Sequence, residues 1–95
     1  MSGLPALHPP SHSGSRLQAQ ELVRDLAADL SRDRVVLDLK DIVVSAPSFL
    51  DEVVKGVLIE RRAAQLDVLG ASPRAAQLLQ RAARNREAED RLRIE

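Results

Sequence analysis

Two consecutive stretches of the sequence constrain the fold most: an apolar run at residues 35–39 and the helix start that follows it. Residues 35–39 are Val-Val-Leu-Asp-Leu, and four of these five side chains are apolar, a pattern typical of a buried strand. A helix is predicted to begin around Pro47 or Ser48, because proline is favoured at the first helical position. Strand, loop and helix therefore follow one another, and Ser48 is expected at the positive end of the helix dipole.

Three segments have the apolar spacing of amphipathic helices. The first is capped by Ser15 and predicted to run to about Leu30, the second follows Pro47, and the third starts at Ser72-Pro73, with serine as the N-cap. A second short apolar run covers residues 66–69, and residues 91–95 alternate polar and apolar as an edge strand does.

The alternation of strands and helices predicts an α/β domain over residues 15–95. Such alternation is typical of a mostly parallel sheet with right-handed crossovers. With few strands available, about three amphipathic helices are expected to pack on one face of a short sheet. That arrangement leaves an edge or the other face thinly covered, and a partner protein or a homodimer could complete it.

Residues 1–14 are predicted to form a flexible tail that carries proline, serine and both histidines. The Pro9-Pro10 pair and the Ser11 to Gly14 cluster are typical of a loop, and the chain before them offers at most a short edge strand. His8 and His12 are four residues apart, as in a helical metal-binding pair, but prolines separate them and no third ligand is near. We therefore expect no metal site and no cofactor.

Composition narrows the classes of function. Lys and Arg number 14 and Asp and Glu number 14, so the chain has no net charge to attract nucleic acid or a membrane surface. Phe49 is the one aromatic residue, which leaves little for base stacking. Cysteine is absent, and no apolar run has membrane-spanning length. A cytoplasmic protein that neither binds nucleic acid nor inserts into a membrane is predicted.

The start of the second helix is the predicted functional region, and each of its residues has a simpler alternative. Ser48 could be a phosphorylation site, or it could cap the helix together with Asp51, as in a capping box. Phe49 could anchor a partner or fill the core. Asp51 and Glu52 could bind a partner's arginines, or they could simply lie favourably in the helix dipole. Gly56, further along the helix, permits close approach of a strand or of a partner.

From about Ser15 to Ile94 the chain resembles STAS domains, the sulphate transporter and anti-sigma factor antagonist family. Residues 35–42 look like the strand before the phosphoacceptor loop, and residues 66–74 with Leu78-Leu79 look like a later strand and helix. Residues 48–52, Ser-Phe-Leu-Asp-Glu, resemble the helix start of a STAS-like variant. The family loop is Asp-Ser-Ser-Gly-Leu, and alignment on Leu50 puts Ser48 on its phosphorylated serine. Here Ala46, Pro47 and Phe49 replace the Asp, the first Ser and the Gly.

The resemblance implies a non-enzymatic regulator that binds an anti-sigma factor of the serine-kinase type. Binding would use the start of the second helix and its flanking loops, namely Ser45, Pro47, Ser48, Phe49, Asp51, Glu52 and Lys55. The alternative is a constitutive STAS-like adaptor or structural subunit of a larger complex, without phosphorylation. An enzyme is disfavoured, because both histidines lie in the predicted tail and Ser48 would lack a base.

Overall fold

The computed structural model describes the backbone of residues 5–42 and 44–95, and the side chains of the same residues other than 44 and 45. Along these residues come two strands, a helix, two strands, a helix, a strand, a helix and a last strand. The strands are Ala6–Leu7 (β1), His12–Ser13 (β2), Arg34–Asp38 (β3), Val44–Ser45 (β4), Gln65–Leu69 (β5) and Leu92–Ile94 (β6). The helices are Arg16–Val23 (α1), Pro47–Val54 (α2) and Pro73–Asn85 (α3). A π-helical segment, Lys55–Glu60, continues α2, and a 3₁₀ turn, Glu89–Arg91, leads into β6.

Four strands form one parallel sheet in the order β1-β3-β5-β6, and β2 and β4 form a separate parallel pair. The spatial order of the four strands is their order along the chain. Crossovers between parallel strands are right-handed with few exceptions, so crossovers that advance in one direction put their helices on one face. The predicted small α/β fold with a parallel sheet and three helices is confirmed.

Alternate residues of the two central strands form the floor of the core. Val35 and Leu37 on β3 pair in register with Leu66 and Val68 on β5, and all four side chains are fully buried. Helix α2 packs between α1 and α3 above them. On the other face of the sheet Val36 and Leu69 stay partly exposed, whereas Asp67, opposite Val36 in the register, is buried. The sheet therefore has one covered and one more open face.

Two of the helices begin where the capping pattern predicts. The Oγ atoms of Ser15 and Ser72 each accept a hydrogen bond, from the backbone N–H of Gln18 and of Ala75 respectively, both at 3.1 Å. Pro73 occupies the first helical position of α3. Each serine satisfies a backbone donor that the helix itself cannot pair.

Helix α1 ends at Val23, well before the predicted end at about Leu30. Contacts after the helix explain the difference. The Leu30 N–H donates to the Arg61 carbonyl at 2.7 Å, and the Ser31 N–H donates to the Asp29 carboxylate at 3.0 Å. Leu30 is still buried. The apolar pattern therefore correctly predicted that Leu30 faces the core, but it wrongly predicted a helical backbone at this residue.

Residues within the predicted tail at 1–14 take part in the fold. Strand β1 pairs with the edge of β3, with Ala6 opposite Val36, and Leu7 joins the core. Strand β2 pairs with β4, and Ser13 is fully buried with its hydroxyl donating to the Pro10 carbonyl at 2.6 Å. Pro9 and Pro10 therefore lie between two short paired strands. Leu7 and Ser13 are buried, unlike the side chains of a free tail.

Two glycines lie where a side chain would meet its surroundings. A Cβ on Gly56 would lie 3.1 Å from a methyl group of Val23, so this glycine allows α1, rather than a strand or a partner, to approach closely. Gly70 has φ +70°, and a Cβ there would lie 2.8 Å from the Cα of Lys40. It ends β5 in the left-handed conformation that glycine adopts most easily.

Candidate functional site: the amino end of helix α2

Helix α2 begins at Pro47, and Ala46 is its N-cap. Ala46 is extended, the conformation that residues before a proline prefer. Ser48 is therefore the second helical residue, and the proposed capping box of Ser48 with Asp51 is wrong, since no side chain caps this helix. Proline at the first position sets the start one residue too early for Ser48 to act as the cap.

The amino ends of α1 and α2 lie side by side. Strands β2 and β4 pair in parallel register, with Ser13 opposite Ser45, and the Ala46 N–H donates to the Ser13 carbonyl at 2.9 Å. Each strand runs into its helix after a similar number of residues, so Arg16 and Pro47, the first residues of the two helices, start from neighbouring positions. Helices α1 and α2 then pack together along their length.

A cluster of charged side chains joins α1, α2 and the end of α3. Arg16 donates from Nη1 to Asp51 Oδ2 at 3.0 Å and to Glu52 Oε1 at 3.1 Å. Arg86, the C-cap of α3, donates from Nη2 to the same Asp51 oxygen at 2.9 Å. Lys55 Nζ lies 3.8 Å from Glu52 Oε2. We call Asp51 and Glu52 the acidic pair; each of its members holds two cations.

The environment of Asp51 favours its ionised form. Burial alone would raise the pKa of this carboxyl, but hydrogen bonds from Arg86 and Arg16 outweigh that effect and hold the pKa below its usual range. Glu52 is almost fully buried and also accepts a hydrogen bond from Gln20 Nε2 at 3.3 Å. Both carboxyl groups of the acidic pair thus have their partners within the chain itself.

No family model, no curated protein and no solved structure matches this chain. The resemblance to STAS domains therefore stays a prediction. The structure does show which of the predicted residues around the amino end of α2 are exposed and which are buried.

The structure divides the predicted partner-binding residues. Pro47 is exposed, Ser48 is half-buried, and Lys55 is 38% exposed although it contacts Glu52 and Glu60. Phe49 is 0% exposed, so it fills the core and offers no surface to a partner. The side chain of Ser45 lies outside the described residues.

The acidic pair has a different role from the one predicted for it. Asp51 and Glu52 bind arginines of this chain, rather than those of a partner. The sequence patterns did not predict that Arg16 and Arg86 contact Asp51. They stand 35 residues before and after Asp51, and no local spacing or motif links them to it. Only the packing of three helices brings them together.

The two histidines have separate neighbours. His8 Nδ1 lies 3.6 Å from Asp38 Oδ2, and His12 Nδ1 lies 3.3 Å from the Ser11 hydroxyl. His12 belongs to β2, beside the strand that leads to Ser48, and not to a free tail. Within the described residues no three metal-ligating side chains come together, and no helix there is long and apolar enough to cross a membrane.

Proposed function

We propose that this protein is a non-enzymatic regulatory interaction module whose partner binds at the amino end of α2. The observation that carries the proposal is the position of Ser48, a half-buried serine in the first turn of α2 beside exposed Pro47. The resemblance to anti-sigma factor antagonists supports it, since Ser48 aligns with their phosphorylated serine. The partner class is then a cytoplasmic anti-sigma factor with serine-kinase activity.

Phosphorylation at Ser48 would act on binding rather than on folding. The kinase would transfer the γ-phosphoryl group of ATP to Ser48 Oγ, with release of ADP and loss of the hydroxyl proton. The product adds about −1.5 to −2 charges. At a helix amino end this is favourable by roughly 0.3–1 kcal/mol, whereas in an interface with carboxylates or apolar groups it is repulsive. The domain would stay folded while the complex dissociates.

The test is a pull-down with a serine kinase encoded beside the gene for this chain. We expect Ser48→Ala to retain binding and Ser48→Asp to lose it. Ser31→Asp, which adds the same charge at an exposed turn, is the matched control and should bind normally. Equal binding by all variants would remove the phosphorylation switch, and binding by none of them, the unsubstituted chain included, would remove this partner class.

A second candidate function is a constitutive adaptor or structural subunit, and the open face of the sheet favours it. Val36 and Leu69 are half-exposed there, beside Asp67, which is buried under an ion pair with Arg34 at 2.7 Å. A permanent partner or a second copy of the chain would cover these groups. Co-purification that is independent of nucleotide and of Ser48 substitution would favour this function, as would a stable homodimer in sedimentation.

A further inference from the structure

We propose that Arg16 binds the phosphate of phosphorylated Ser48 through hydrogen bonds. Phosphorylation would thereby move the Arg16 guanidinium away from the acidic pair. This inference rests on the proposed function, because it specifies how the modification at Ser48 is detected within the chain. It assigns to the start of α1 a part in the regulation of α2.

The position of Arg16 over α2 is the first argument. Its Nη1 contacts Asp51 and Glu52, which are the third and fourth residues after Ser48. On a helix these are the two positions that share a face with Ser48, with Cβ atoms about 5–6 Å apart. The guanidinium therefore lies against the side of α2 that also carries Ser48. A phosphate there would lie within reach of the Arg16 side chain.

The backbone holds this arrangement in place. Pairing of β2 with β4 and the hydrogen bond from Ala46 to Ser13 keep the starts of the two helices adjacent. Ser15 caps α1 immediately before Arg16. The backbone of Arg16 is therefore held beside the start of α2, and only its side chain would need to move to reach a phosphate on Ser48.

The acidic pair can release Arg16 without leaving a buried carboxylate unpaired. Asp51 keeps Arg86, and Glu52 keeps Lys55 and Gln20. Removal of the sole partner of a buried charge is strongly unfavourable. The second partner of each carboxylate avoids this cost. The Arg16 side chain is also 52% exposed, against 29% for Arg86, so Arg16 has the fewer packing contacts to lose when it moves.

The chemistry favours the exchange. A guanidinium binds a phosphate dianion through two parallel hydrogen bonds, and such charge-assisted bonds are among the strongest in proteins. Arg16 would give up two single contacts with carboxylates and gain a bidentate one. Phosphorylation would then change the surface in two ways, because it adds a phosphate and also removes a cation from the acidic pair.

The test uses full-length protein with phosphoserine incorporated at position 48 during translation, so that no kinase is needed. Free phosphoserine loses its second proton with a pKa of about 6. We expect ³¹P NMR titration to find this pKa about one pH unit lower in the otherwise unsubstituted chain than in Arg16→Gln, because a nearby cation favours the dianion. Arg24→Gln, on the exposed end of α1, is the matched control and should titrate like the unsubstituted chain.

Two further variants keep the result decisive. Arg16→Lys preserves the charge if Arg16→Gln fails to fold, and it should restore part of the shift. Arg86→Gln should leave most of the shift in place. A phosphate pKa that is the same with and without Arg16, or that depends on Arg86 instead, would overturn the proposal. Since the phosphate is incorporated directly, a chain that binds no kinase would defeat the proposed function and leave this measurement intact.

Discussion

Asp51 is the residue on which the charged cluster depends, because one of its oxygens accepts hydrogen bonds from both Arg16 and Arg86. A carboxylate that holds two cations fixes the ends of two other helices against α2. Its polar contacts reach 35 residues in each direction along the chain. Substitution of this residue is therefore expected to affect stability, although it lies at the edge of the core.

Asp51→Asn should lower the free energy of unfolding by about 1.5–3 kcal/mol, the usual contribution of hydrogen bonds to a charged group. Arginine contacts hold the folded-state pKa of Asp51 below its ordinary value. Its contribution is therefore present above that ordinary value, about 3.9, and is lost as the pH falls through the folded-state pKa.

Urea unfolding at about pH 7 and about pH 3 checks this pH dependence. The difference between the unsubstituted chain and Asp51→Asn should shrink at the lower pH. Asp25→Asn, at an exposed position of the segment after α1, should have little effect at either pH. A difference that stays constant with pH would mean that the ionised Asp51 does not stabilise the fold.

At the scale of elements, two serines with similar sequence surroundings take different positions at the start of a helix. Ser72 and Ser48 each stand next to a proline, but Ser72 precedes Pro73 and caps α3, whereas Ser48 follows Pro47 and lies inside α2. The order of serine and proline therefore decides which hydroxyl satisfies a backbone donor.

Ser72→Ala should destabilise the domain by about 1 kcal/mol, since it removes the hydrogen bond to the Ala75 N–H. Ser48→Ala should change stability by only a few tenths of a kcal/mol, because Ala46 already occupies the cap position. Thermal unfolding of the two variants side by side makes the comparison. An equal loss for both would place Ser48 in a capping role after all.

The described residues share one largely aliphatic core that contains a single aromatic side chain, Phe49. Phe49 is among the largest fully buried side chains, and it belongs to one buried cluster with residues from the sheet and all three helices. A domain of this size has a net stability of only about 5–15 kcal/mol. Loss of its largest side chain therefore threatens the fold itself.

Phe49→Ala should cost about 3–5 kcal/mol through lost burial and the cavity left behind. Leu17→Ala is the control, because Leu17 is 63% exposed and should contribute little. Chemical denaturation followed by circular dichroism measures both. Should Phe49→Ala prove too unstable, Phe49→Leu should show a smaller loss in the same direction. A Phe49→Ala protein as stable as the unsubstituted chain would contradict the core role.

Local patterns in the sequence determined most of the architecture. The strands at residues 35–39 and 66–69 and the helix starts at Ser15, Pro47 and Ser72 all follow from apolar spacing, capping and proline. These are short-range effects, set by neighbours a few residues away. The edge strand near residue 92 was predicted for the same reason.

Tertiary structure alone decided where α1 ends and what the acidic pair binds. Leu30 pairs its N–H with Arg61 instead of continuing a helix, and Asp51 pairs with Arg16 and Arg86. These contacts join residues 31 positions apart (Leu30 and Arg61) or 35 positions apart (Asp51 and each arginine). No periodicity encodes such a pair, because the distance between two side chains on different helices is set only when both helices pack on the same sheet.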